Sequence, residues 1–291
     1  MINCYSPAVV LETDEQERTI IKPSRADGRD DKEMRKVFID VGILSCASGS
    51  AYIELNMTKV ICTISGPHAI SRADDTFSEQ GQLRVDLRYA PFARVGQSQY
   101  ETNDRDRRDH HPARQTDGER DASALIRQAL EASIQMHLLP KSLIDVYIWV
   151  LQADGGELGA AVTCASLALS DAGIELFDLV VGCSVGCLGG SRVLLDPTEV
   201  EISQQRAPED SSSGGARGGK QGAKAGVMTV TFTPASQEVT QWWQEGQFDQ
   251  ESMARGLALC IDGCLVMHKI MKEKLVECFQ AYSSSAVQAQ L

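Results

Sequence analysis

Residues 144–173, IDVYIWVLQADGGELGAAVTCASLALSDAG, decide the fold. The opening run is β-branched, aromatic and aliphatic, which predicts a strand that carries on to Gly156. Asp154-Gly155-Gly156 is turn chemistry. From Gly159 to Gly173 small and apolar residues predict a helix. A strand that turns sharply into a helix leaves unpaired N–H groups and the positive dipole end at the turn, which suits an anion.

The neighbouring segments extend this pattern on both sides. VFIDVGILSCASGSAYIELNMTKVICTISGP, residues 37–67, holds β-rich runs at Val37–Leu44, Ser50–Leu55 and Lys59–Ser65. Breaks at Ala47-Ser48-Gly49 and Asn56-Met57 predict an antiparallel meander. Leu83, Val85 and Leu87 alternate with Arg84, Asp86 and Arg88, a strand to Tyr89. Leu125, Ile126, Ala129, Leu130 and Ile134 recur at helical spacing, so a helix is expected from Glu119 to about His137, before Pro140. Further strands are expected at Leu176–Val185, Val193–Asp196 and 227–234. A long helix is expected from Asp249 to about Ala281, with Met253, Leu257, Cys260, Ile261, Cys264 and Leu265 as its apolar stripe.

Two meander-then-helix halves in succession imply an α+β chain with two similar β-sheet-plus-helix lobes, 23–173 and 174–282. Residues 1–22 read as a flexible arm and 283–291 as a flexible tail. The polar run 97–118 is expected to be a mobile loop, and the low-complexity run 203–226 a disordered insertion.

With 43% apolar and 23% charged residues among 291, the chain reads as globular and large enough for a sizeable core. A net charge of −12 argues against bulk charge as the means of holding nucleic acid, although local basic patches remain open. Nine cysteines, scattered and mostly in apolar runs (Cys62, Cys164, Cys183, Cys260), suit reduced thiols rather than a disulfide framework. The N-terminus lacks a basic start followed by a long apolar run, so no secretory leader is expected. No segment approaches the ~20 apolar residues of a membrane span.

Several elements in order resemble the RNase PH family of phosphorolytic ribonucleases. Arg25-Ala26-Asp27-Gly28-Arg29 resembles that family's Arg-Pro-Asp-Gly-Arg element. GILSCASGSAYIELNMTKVICTISGP (42–67) resembles its first hairpins, and LQADGGELGAAVTCASLALSDAG (151–173) its phosphate-binding strand, turn and helix. LLDPT (194–198) resembles the start of its acidic segment. The resemblance covers about 23–200 and 227–280 and implies the RNase PH fold (ribosomal protein S5 domain 2-like). It also implies a subunit of the hexameric ring of a eukaryotic RNA exosome, in which neighbouring lobes pair by sheet extension and RNA threads the channel. The implied partners are other RNase PH-like ring subunits, S1/KH-type cap subunits and RNA, with no membrane. The implied locations are nucleus, nucleolus and cytoplasm.

The same resemblance bears on chemistry. Active relatives place Ser or Thr and then Arg after the glycines, where this chain has Glu157 and Leu158. A carboxylate there repels phosphate, and the guanidinium fork is missing; Glu157 also reads as an ordinary helix N-terminal acid. Asp196 matches the family's first acid, yet Asp196-Pro197 also reads as a strand-ending turn. The second acid is due where Val227 stands; Glu199, Glu201 and Glu209 are possible substitutes without support from register. These degenerate remnants (Asp196, Glu157, Leu158, Val227) imply a non-catalytic homologue, with no metal and no cofactor expected. An active phosphate-dependent 3′–5′ exoribonuclease is the alternative.

Arg88, Arg94 and Arg120 stand near places where relatives turn arginines toward RNA; each reads equally as a solvated charge or an inter-subunit ion pair. The run 104–114 is taken first as a surface loop. Cys260, Cys264 and His268 share one helix face and read as core packing rather than a zinc site, as do Cys183 and Cys187. Trp242-Trp243 reads as packing or a subunit interface.

Overall fold

The computed structural model describes Arg25 and residues 27–69, 80–93, 115–188, 192–206 and 226–288. The expected N-terminal arm, Arg94, residues 97–114 and residues 207–225 lie outside the described residues.

The first sheet is built from β1 (Val37–Val41), β2 (Gly49–Leu55), β3 (Thr58–Ala69), β4 (Gln82–Tyr89) and β5 (Ser142–Gln152), in the order β1-β2-β3-β5-β4. β1, β2, β3 and β5 pair antiparallel, while β4 lies parallel to β5 at the edge. The second sheet, entirely antiparallel, takes β6 (Val181–Leu188), β7 (Arg192–Leu195), β8 (Gly226–Thr233) and β9 (Glu238–Gly246) in the order β7-β6-β8-β9.

The helices are α1 (Asp117–Glu131), α2 (Glu157–Asp171), α3 (Glu199–Arg206) and α4 (Gln250–Gln288). Every residue of α2 from Gly159 to Leu169 is buried, because this helix lies between the sheets, against β2 and β3 on one side and β6 on the other. A helix apolar on all sides has no solvent face. Its approach to β6 is backbone to backbone: a Cβ on Gly182 would lie 2.6 Å from the Cα of Gly159. α4 covers β6, β7 and β8, and α1 packs on β4 and β9.

Several elements depart from the sequence expectation. β1 stops at Val41 because Gly42, at φ +73°, turns the chain before Leu44. α1 begins at Asp117, where Glu119 accepts the Thr116 N–H at 2.7 Å, so Asp117 and Gly118 belong to the helix and not to the expected loop. It ends at Glu131 rather than His137. Ser133 donates to the Leu130 carbonyl, and the Phe177 N–H donates to the Ser133 carbonyl at 2.7 Å. This pairing diverts residues 175–177 from the second sheet, so β6 starts at Val181 rather than Leu176. α3, which takes in Ser203–Arg206 of the expected insertion, was not foreseen, nor was β9. α4 continues past Ala281 to Gln288.

Candidate active-site cleft

β5 delivers Asp154, Gly155 and Gly156 to the junction of the two sheets, and α2 begins at Glu157. Both glycines are left-handed, at φ +81° and +71°. A Cβ on Gly155 would stand 2.6 Å from the Pro197 carbonyl, and one on Gly156 2.9 Å from a guanidinium nitrogen of Arg35. The turn therefore admits the start of α3 and the Arg35 side chain only because glycine is there.

Arg35 is the hub of the junction. Its backbone N–H and Nε donate to Asp196 Oδ2 at 3.1 and 2.7 Å, and Nη2 donates to Oδ1 at 2.6 Å. The remaining donors reach Thr58 Oγ1 and the carbonyls of Asp154 and Gly155. Burial alone would push the Asp196 carboxyl up, but the Arg35 guanidinium, with smaller help from Arg29, holds it below the usual carboxylate range. In turn Asp196 outweighs the effect of burial on Arg35 and raises that group.

The Arg25–Arg29 element holds this pair from outside. Arg25 donates to the Leu195 and Asp196 carbonyls and makes a two-point pair with Glu201 at 2.8 Å. Burial favours a neutral Glu201, yet Arg25 and the Thr198 N–H keep its carboxyl below the ordinary value. Thr198 and Glu201 also cap α3 reciprocally, a T-x-x-E signature written in the sequence.

Beside the pair opens a cleft of about 420 Å³ between the lobes. Glu157, Leu158 and Val227 line it, together with Ser184, Thr229, Tyr89 and Trp243. Its ionisable side chains, among the described residues, are the carboxylates of Asp121, Glu157, Glu199 and Glu245, plus the Tyr89 hydroxyl; no Lys, Arg or His lines it. Asp196 is 3% exposed and is not on the wall. Both its oxygens are engaged by Arg35, so a divalent ion would have to displace the guanidinium. Among the described residues no three His, Cys, Asp or Glu side chains gather as a metal site.

Of the arginines expected to contact RNA, the two described, Arg88 and Arg120, do not line this cleft. Arg88 turns to the outer face of the first sheet, bonded to Asp86 at 2.9–3.2 Å and in register with Trp149. Arg120 lies on the side of α1 away from the cleft, 3.3 Å from Asp117. Glu201 belongs to the Arg25 clamp, and Glu209 lies outside the described residues. Glu199 and Glu245 are the wall carboxylates, and Glu245 went unnoticed because β9 did. Cys183, Cys187, Cys260, Cys264 and His268 are buried among core residues.

Comparison with known proteins identifies the family and the fold. A family model described as "3′ exoribonuclease family, domain 1" (RNase PH) matches residues 33–175, and its "domain 2" model matches 178–263. The chain belongs to the RNase PH family. Among curated relatives, "Exosome complex component Rrp41" of Pyrobaculum aerophilum is 41% identical over 251 residues, covering 86% of this chain and 89% of that one. "Exosome complex component RRP41-like" of Arabidopsis thaliana is 32% identical over 254 residues, covering 87% and 84%. Among solved structures, rice Rrp46 superposes with a TM-score of 0.65 at 19% identity, covering 85% of this chain and 98% of that one. The Archaeoglobus fulgidus exosome "with RNA bound to the active site" gives 0.63 at 20%, covering 86% and 92%. These superpositions establish the RNase PH fold, two packed sheet-and-helix lobes, for this chain.

Proposed function

We propose that this RNase PH family member is a ring subunit of the RNA exosome that keeps the scaffold and has lost phosphorolysis. The exosome part is supported by the relatives' names. Within the family, GILSCASGSAY, TKVICTISGP, LRYAPF and SDAGIELFDLVVGCSVG resemble the eukaryotic mRNA-transport-regulator subunit, exosome component six. The proposal includes neighbouring RNase PH-like subunits, S1/KH-type caps and RNA as partners, and the nucleus, nucleolus and cytoplasm as locations. Residues 23–173 and 174–282 form its two lobes.

The loss of chemistry is carried by one observation: among the described residues, the cleft wall presents four carboxylates and no cation to a reaction whose nucleophile is an anion. At ~4 Å and an effective dielectric near 20, each like-charge encounter costs on the order of 4 kcal/mol. Purified full-length chain, incubated with labelled RNA, inorganic phosphate and Mg²⁺, is expected to release no nucleoside diphosphate above background. Robust phosphate-dependent release overturns the inactive reading. Hexameric rings recovered with the tagged chain from cells support the assembly part, and a persistently monomeric species refutes it.

A further inference from the structure

α1 has two unlike sides. Toward the cleft it turns Asp121 and the apolar Ala122 and Leu125. On its other side, between the helix and the edge strand β4, runs a groove of about 330 Å³ whose only charged lining residues, among the described residues, are Arg84, Arg120 and Arg127. Gln82 adds an amide to the same wall, while the Gln115 amide, also in the lining, already donates to Asp86 and the Leu87 carbonyl.

Each arginine has a carboxylate neighbour: Arg84 is 3.9 Å from Asp145, Arg120 3.3 Å from Asp117, and Arg127 3.0 Å from Glu131. The three side chains are 60%, 48% and 46% exposed. Exposed pairs of this kind are weak and exchange readily for a better acceptor; a phosphate that takes a guanidinium through two parallel hydrogen bonds is such an acceptor.

The strand edge contributes as well. Along β4 the Leu87 N–H donates to Ser123 Oγ at 2.9 Å and the Tyr89 N–H to Glu119 at 3.0 Å, so these two positions face α1. By the two-residue period of a strand, Val85 and Leu83 direct their N–H groups the same way, and both line the groove.

We propose that this groove holds the phosphodiester backbone of single-stranded RNA, with Arg84, Arg120 and Arg127 as sequence-independent contacts. The path runs along the β4 edge, separated from the acidic cleft by α1. Guanidinium groups with the Gln82 amide and backbone donors, and no aromatic ring among the described lining residues, suit phosphates rather than bases. The inference rests on the exosome reading only in taking RNA as the ligand.

The test uses the full-length chain and a labelled oligouridylate, with binding read by fluorescence anisotropy over a salt series. Neutralising all three (Arg84→Gln, Arg120→Gln, Arg127→Gln) is expected to weaken binding about tenfold or more and lower the salt slope by about 2. The comparison is a matched triple neutralisation on α4 (Lys269→Gln, Lys272→Gln, Lys274→Gln), which should leave the slope within about 1 of the unmodified chain. All five changed side chains beyond Lys274 are exposed or half-exposed, and circular dichroism of both variants checks folding. Equal weakening by the two triples, or none by the first, overturns the groove. Displacement of the RNA by oligoglutamate of matched charge also overturns it, in favour of an acidic protein segment. None of these outcomes depends on whether the chain releases diphosphates.

Discussion

Asp196 combines a left-handed backbone, φ +51°, with a carboxylate that is buried and wholly engaged by Arg35. Removing one member of such a pair strands the other charge out of water, which typically costs ~3–5 kcal/mol. Asp196→Asn is therefore expected to lower the unfolding free energy by about that much in urea denaturation. Arg35→Met combined with Asp196→Leu should lose less than the sum of the two single changes; strict additivity would show that the pair is not coupled. The sign of the pH dependence follows from the same geometry. Asp196 and Glu201 are both depressed in the folded chain. Their stabilisation is complete above the unfolded carboxylate values of ~3.9 and ~4.3 and is lost as pH falls through the lower folded values. Urea midpoints taken from pH 7 downward should hold level to about pH 5 and then decline. A flat profile down to pH 3 would falsify the assignment of these two carboxylates as paired.

At the scale of elements, the turn between β5 and α2 depends on Gly155. Alanine there meets a left-handed conformation worth ~1–2 kcal/mol against an L-residue and a carbonyl 2.6 Å from its Cβ. Gly155→Ala should destabilise by at least ~1–2 kcal/mol in thermal melts, whereas Gly118→Ala, whose Cβ meets nothing within 4 Å, should not. The difference between these two glycines is tertiary and could not be read from sequence, although Asp154-Gly155-Gly156 marked the turn. The strands of the first sheet and the buried helix α2 were legible because their apolar pattern is dense. β9 was not: EVTQWWQEG is half-buried at best, and its strand state comes from pairing with β8. The starts of α1 and α3 were written as T-x-x-E at Thr116–Glu119 and Thr198–Glu201, signals easily lost beside polar runs. For the site, Glu157, Leu158 and Val227 reached the cleft wall. The ion pair that occupies Asp196 joins residues far apart in the chain, so no local pattern announced it.

Across the whole molecule, the two lobes meet along a wall whose charges decide what can enter. The chain carries a net −12, and its cleft concentrates that sign in Asp121, Glu157, Glu199 and Glu245. A low-dielectric crevice lined with one charge focuses the field and excludes anions more strongly than the net charge alone would. Glu157 occupies the first position of α2, where the helix N–H groups would otherwise face an incoming phosphate. Replacing it with Ser, with Leu158→Arg beside it, removes one negative charge and adds a guanidinium at the same turn. Inorganic phosphate, titrated by isothermal calorimetry, should bind this double variant at least about tenfold more tightly than the unmodified chain, or ~1.4 kcal/mol. The gain should shrink as salt rises, because the groups face open solvent on one side. Should the double variant bind phosphate no better, while Glu199→Gln with Glu245→Gln does, then the far wall of the cleft and not the helix terminus keeps the anion out.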